Sequence, residues 1–281
     1  MARKKALEVG LSPCPNDTYI FGALIKGLVK PHFSYEFRLE DVETLNLLAL
    51  KAELPVTKLS FGILPRIGKT YELLPVGAAL GRGCGPLLVA TRPALDLSKA
   101  RVAVPGFHTT ACLLLRLYAP YLKDLVALRY DEIIPALQAR KIDAGVLIHE
   151  GRFIYRAYGL FLIADLGSWW EEKTGLPLPL GGIFIKKALP FEVKKAFLED
   201  LKQSLSFARE NLSLIWDFIR KNARELEPSV IKRHIETFVN RFTYQLGEEG
   251  KKAVLTFAGL LKEKGILQED ARDIFFAGGR L

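Results

Sequence analysis

The chain alternates between two hydrophobic periods. Short apolar runs at Leu7–Leu11, Phe33–Leu39, Val56–Phe61, Leu73–Leu80 and Leu87–Thr91 read as strands. Between them, apolar residues recur every three or four positions and read as helices. Asn16/Asp17 can cap a helix that runs through Tyr19, Ile20, Leu24 and Ile25 to Gly27, and Asp41 can cap Val42–Lys51. A short helix is expected around Leu64–Gly68. A second series follows the break at Gly81–Pro86. Strands are expected at Val102–Val104, Val126–Tyr130, Ala144–Ile148, Leu160–Ala164 and Ile183–Ile185. Helices are expected at Thr109–Tyr118, Glu132–Arg140 and Phe153–Tyr158, and from a capping box at Ser168–Glu171. Beyond Pro190 the pattern is helical throughout, with a break at Asn211 and helices over Val230–Val239 and Glu249–Lys264.

Two α/β units and a helical tail result. The second unit, residues 92–185, is inserted into a larger discontinuous lobe of residues 1–91 and 186–281. If Leu87–Thr91 and Ile183–Ile185 run side by side, they form a two-strand hinge. That is the plan of a two-lobed, type-2 periplasmic-binding-protein-like fold, whose ligands sit in the cleft at strand carboxyl ends and helix N-termini. Such a fold serves receptors and enzymes alike, so the site must decide.

Composition narrows the partners. The 281 residues are 49% hydrophobic and 25% charged, a globular balance, with no apolar run long enough for membrane insertion. The net charge of +9 raises nucleic acid or an anionic small molecule as a partner. The excess is spread as +3 over residues 1–91, +2 over 92–185 and +4 over 186–281, and only Arg3-Lys4-Lys5 is a compact basic cluster. That distribution speaks against nucleic acid and reads as a Lys-rich solvated surface; the partner expected is a small anionic substrate. Cys14, Cys84 and Cys112 are odd in number and widely spaced, neither a disulfide framework nor a metal motif. The apolar start Ala6–Leu11 is short, carries a charge and is interrupted by Ser-Pro-Cys-Pro, so a cytoplasmic setting is expected.

Four segments carry candidate chemistry. Ser12-Pro-Cys-Pro-Asn-Asp17 closes the first strand, and Ser12, Asn16 and Asp17 offer polar groups at a helix entrance. Lys58-Leu59-Ser60 ends the third strand, where alternation sends Lys58 and Ser60 to one side, a cation and a hydroxyl suited to a carboxylate. Thr109 or Thr110 caps a helix whose N-terminus attracts anions. His149 follows an apolar strand directly and is placed to act as a base near neutral pH. Each has a plainer alternative: a turn, a snorkelling lysine, an ordinary cap, a loop histidine. His32 and His234 read as surface or helix-face residues, and no spacing suggests a bound metal.

Taken in order, these segments resemble the 1,4-dihydroxy-6-naphthoate synthases of the futalosine route to menaquinone. The resemblance is carried by Ser12-Pro-Cys-Pro-Asn-Asp-Thr18, Leu39–Asn46, Thr57-Lys-Leu-Ser60, Gly81-Arg-Gly, Gly85-Pro86, Val102–Gly106, His108-Thr-Thr110, Ile148-His-Glu150, Trp169–Glu172, Thr174–Gly181 and Val239-Asn240. It implies a bilobed, cytoplasmic, cofactor-free carbon–carbon lyase acting on cyclic dehypoxanthine futalosine. It further implies that His149 is the proton acceptor and that Lys58-Leu59-Ser60, Thr109 and Thr110 contact substrate. A sister chorismate dehydratase and a solute-binding receptor of the same fold stand as alternatives.

Overall fold

The structure is a computed structural model that describes residues 6–224, 227–266 and 272–277. The basic start Arg3-Lys4-Lys5 lies outside them. The strands are β1 (Leu7–Leu11), β2 (Tyr35–Leu39), β3 (Val56–Ser60), β4 (Tyr71–Leu73), β5 (Ala79–Gly81), β6 (Leu87–Ala90), β7 (Val102–Val104), β8 (Leu125–Ala127), β9 (Ala144–Leu147), β10 (Phe161–Asp165) and β11 (Leu178–Lys186). They form two sheets. The first has the order β2-β1-β3-β11-β4, with β5 added against the start of β11. The second has the order β10-β6-β9-β7-β8. In the first, β1 runs parallel to β2 and β3, and β11 returns antiparallel. In the second, β7 is parallel to β8 and β9, while β6 is antiparallel to its neighbours.

Helices cover both faces of the first sheet. On one side, Pro15–Ile25 packs with Phe191–Glu210, Leu212–Asn222 and Pro228–Phe238 around Phe21, Phe197, Ile215 and Ile231. The break expected at Asn211 separates two of these helices. On the other side, a core that includes Leu59, Phe184, Trp170 and Phe257 continues into the second sheet through Leu88, Val104 and Leu114. A smaller core around Ile133, Leu137 and Leu147 covers the far face of the second sheet. The expected caps at Asp41 and Thr109 are present: Asp41 accepts from the N–H of Glu43 and Thr44, and Thr109 from that of Cys112.

Several sequence expectations are corrected. Leu87–Ala90 pairs with β9 and β10 of the second sheet, whereas Ile183–Ile185 pairs with β3 and β4 of the first. They do not lie side by side. The strands that do adjoin at the crossing are β5 and the beginning of β11, with Leu178 opposite Gly81 and Gly181 opposite Ala79. A uniformly apolar strand carries no mark of which sheet it joins, and this is why hydropathy misplaced β6. Leu73–Leu80 is two strands, because Pro75 and Gly77, the latter at φ +86°, turn the chain between them. The strand expected at Val126–Tyr130 ends at Ala127. The first helix begins at Pro15 with Cys14 in the cap position, which releases Asn16 and Asp17 from capping. Asp165, not Ser168, caps the helix Leu166–Thr174.

Candidate active site

A cavity open to solvent lies between the two sheets, lined from the first by Ser12, Asn16, Asp17, Lys58 and Ser60 and from the second by Thr109, Thr110, His149 and Arg152. These residues sit at the carboxyl ends of β1, β3, β7 and β9 or just beyond them, the position where open α/β sheets bind ligands.

The floor is a buried ion pair. Lys58 Nζ lies 2.9 Å from Asp17 Oδ1 and donates to the Gly77 carbonyl at 3.2 Å. Asp17 Oδ2 accepts from the Ser12 hydroxyl at 2.6 Å and the Ser12 N–H at 3.1 Å, and Asn16 Nδ2 donates to Asp17 Oδ1 at 2.8 Å. Lys58, expected as a ready cation for a ligand carboxylate, therefore already has its counterion. Asp17, which the sequence offered as a cap or as one of the polar groups at the helix entrance, is the hub that joins β1 to β3. Leu59 lines the cavity too, but its side chain belongs to the core.

One wall is a hydroxyl cluster. Ser60 Oγ accepts the Thr110 N–H at 2.6 Å and stands 2.9 Å from Thr110 Oγ1, which donates to the Leu180 carbonyl at 2.9 Å. Gly62 permits the approach: a Cβ there would stand 2.6 Å from the His108 carbonyl oxygen and from the Thr109 carbonyl carbon. Asn46 accepts from the Ser60 N–H at 3.1 Å and donates to the His108 carbonyl at 3.4 Å. His108 itself turns away, its Nδ1 2.7 Å from Glu43 Oε1. Thr109 caps the helix Thr110–Tyr118 and donates to the Gly106 carbonyl, so the helix N-terminus faces the cavity beside the cluster.

The opposite wall carries His149. Its φ is +51°, a left-handed conformation that costs a non-glycine residue about 1–2 kcal/mol. That turn ends β9 and sets the imidazole among Cys14, Tyr130 and His234. Nε2 is 3.6 Å from Cys14 Sγ, the Tyr130 ring meets it edge-on at 4.9 Å, and the His234 ring stacks on it at 5.8 Å and 14°. Burial lowers the His149 pKa to about 4, with the Asp17 carboxylate opposing and the Lys58 ammonium reinforcing the shift. His149 is thus a neutral imidazole near neutral pH, a proton acceptor in form. Burial likewise pushes the Cys14 thiol well up, so it keeps its proton and is no nucleophile.

His234, assigned nothing from sequence, is fully buried. Its Nε2 donates to Asn16 Oδ1 at 2.9 Å, and its Nδ1 lies 3.7 Å from Glu150 Oε1. The signal for it was its place on the apolar stripe of Pro228–Phe238, shared with Ile231, Ile235 and Phe238. His32 pairs with Asp200 at the far end of the first sheet, away from the cavity. Among the described residues, no group of three His, Cys, Asp or Glu side chains is arranged to hold a metal ion. Among the same residues, no helix is long and apolar enough to cross a membrane.

Comparison with known proteins adds a family. The sequence profile described as menaquinone biosynthesis matches residues 7–263. The chain is 45% identical over 271 residues to a Thermus thermophilus protein named 1,4-dihydroxy-6-naphtoate synthase, covering 96% of this chain and 99% of that one. A Streptomyces coelicolor protein of the same name is 39% identical over 253 residues, covering 88% and 90%. A crystal structure of an Archaeoglobus fulgidus protein superimposes with a TM-score of 0.88 at 36% identity, covering 93% of this chain and 98% of its own. The periplasmic aliphatic sulphonate binding protein of Escherichia coli gives 0.66 at 14% identity, covering 98% and 93%, a likeness of fold alone.

Proposed function

The chain belongs to the menaquinone-biosynthesis family, and from that premise we propose that it is the lyase that converts cyclic dehypoxanthine futalosine to 1,4-dihydroxy-6-naphthoate. The observation that carries this reading is a neutral, half-buried imidazole at the edge of an interlobe cavity, turned out of its strand by a left-handed backbone.

His149 takes a proton from the spirocyclic substrate. The electron pair left behind becomes a carbonyl as the carbon–carbon bond breaks, and the rest of the substrate departs as that carbonyl fragment. The electrons of the broken bond pass into the ring system as it becomes the aromatic naphthalene, and the proton held by His149 returns to the new ring hydroxyl. An acceptor with a pKa of about 4 is weak but unprotonated throughout the physiological range. The stack on His234 and the edge contact with Tyr130 hold its ring in place. Ser60, Thr109, Thr110 and the adjoining helix N-terminus receive the oxygen-rich end of the substrate. Each hydroxyl there already has a partner, so the ligand exchanges contacts rather than meeting bare groups. Lys58 serves through Asp17, fixing Ser12 and Asn16 at the floor. Holding the substrate between the two sheets orients the reacting bond beside the base.

Incubating purified protein with cyclic dehypoxanthine futalosine, and separately with chorismate, tests the reading. We expect 1,4-dihydroxy-6-naphthoate from the first and no conversion of the second. Dehydration of chorismate without action on the first substrate would overturn it.

A further inference from the structure

Two cationic side chains line the cavity, Lys58 and Arg152. Lys58 is neutralised by Asp17 at 2.9 Å. Arg152 is different. It lies on the short helix Gly151–Ile154, three positions after His149, and its Nε and Nη1 are enclosed with no hydrogen-bond partner. Among the described residues, no carboxylate comes within ion-pair distance of its guanidinium. After the Cys84 thiol, the acidic groups nearest in electrostatic effect are the carboxylates of Asp165 and Glu171. Both are committed elsewhere: Asp165 accepts the N–H groups of Gly167 and Ser168, and Glu171 accepts the Gly83 N–H at 2.7 Å. A second guanidinium, that of Arg233, stands 4.7 Å from the Phe153 ring, the ring Arg152 also faces at 5.6 Å. Positive charge thus gathers beside the cavity, and its enclosed donors lack an acceptor.

Burying donors of a charged group unpaired is costly, and an anion bound through them recovers the loss. The surroundings also select the kind of anion. Pro86, Ile148, Ala111, Leu180 and Phe238 line the same space and suit a flat aromatic body. A guanidinium presents parallel donors that match a carboxylate. We infer that Arg152 is the anchor for the aromatic carboxylate of the substrate, a specificity-determining residue on the same turn as the proton acceptor. This rests on the lyase reading above for the identity of that substrate, and it leaves the hydroxyl cluster around Thr110 to the oxygen-rich end.

Binding of 2-naphthoate and of its uncharged isostere 2-naphthamide, measured by titration calorimetry, separates the anchor from the reaction. Wild type should bind the acid about 10–100-fold more tightly than the amide, the range expected for a charge-assisted pair. Arg152→Met should bind both alike, with its amide affinity unchanged. Arg152→Gln is the second neutral variant and carries the test if methionine is not tolerated in the fold. The proposal is overturned if wild type shows no preference for the acid, or if either neutral variant keeps the preference. Turnover of cyclic dehypoxanthine futalosine by wild type is scored separately. Its failure would overturn the lyase reading while the carboxylate preference still reports on Arg152.

Discussion

Lys58 Nζ is held 2.9 Å from Asp17 Oδ1, and both side chains are almost wholly buried at the cavity floor. The pair links the ends of β1 and β3 and, through Asp17, fixes Ser12 and Asn16. A cation and an anion buried together are tolerable, whereas either alone is not. Asp17→Asn should therefore cost about 3–5 kcal/mol, the usual penalty for breaking a buried pair. Urea unfolding gives the value. The double variant Asp17→Asn with Lys58→Met should regain most of that loss, because no unpaired charge remains. Equal stability of the single and double variants would show that the pairing does not govern the floor.

The pH dependence follows from His149. Burial, opposed by Asp17 and reinforced by Lys58, holds it at about 4 in the folded protein. In the unfolded chain it titrates near its ordinary 6.5. Between about 4 and 6.5 the unfolded state binds a proton that the folded state does not, so stability rises with pH across that window. This contribution is complete above the window and is worth about 3 kcal/mol. Denaturation at a series of pH values should show the rise in wild type and a shallower one in His149→Asn. The acid limb of kcat/KM, which reports the free enzyme, should likewise fall well below pH 6.5.

The hydroxyl cluster predicts a coupling. Ser60 Oγ and Thr110 Oγ1 are 2.9 Å apart and share Gly62 N–H and the Leu180 carbonyl as partners. Thr110→Val keeps the shape but leaves the Leu180 carbonyl only its 3.3 Å contact with Ser60 Oγ, and should cost about 1 kcal/mol of stability, the net worth of one hydrogen bond. It should also weaken substrate binding about tenfold, the worth of roughly one lost hydrogen bond. Ser60→Ala should do much the same. The two together should cost less than the sum of the singles, because each single variant already breaks the shared contact. A double-mutant cycle on stability and KM checks this, and strict additivity would mean that the hydroxyls act independently.

The sequence made the strand ends legible because polar residues there interrupt apolar runs: Ser12 after Leu11, Ser60 after Leu59, His149 after Ile148. Thr109 was readable as a cap for the same local reason. Relations between distant segments were not. Nothing near Lys58 in sequence announces Asp17, and nothing near His149 announces Cys14 or His234, which are 135 positions away in the first case and on the tail helix Pro228–Phe238 in the second. His234 was passed over because a polar residue on an apolar stripe reads as an edge position. Its burial is made tolerable by a partner, Asn16, from a different helix. The crossing strands were misassigned on similar grounds, since β5 is three residues long and its pairing with β11 is settled by geometry that periodicity does not encode.

Two residues in contact, Cys14 and His149, are the natural rivals for the chemical step, and variants distinguish them. Cys14 does not line the cavity and its thiol is held protonated by burial. Its replacement by alanine should leave most of the turnover in place. For His149, asparagine is a better test than alanine, because asparagine tolerates the left-handed φ of +51° and keeps the turn after β9 intact. His149→Asn should lose about 10²–10⁴-fold in kcat, the contribution of a positioned general base. Its affinity for 1,4-dihydroxy-6-naphthoate should stay near that of wild type, since the fold around the cavity persists. Single-turnover rates with calorimetric binding of product provide both numbers. Full turnover in His149→Asn together with a dead Cys14→Ala would transfer the proton-acceptor role away from the imidazole.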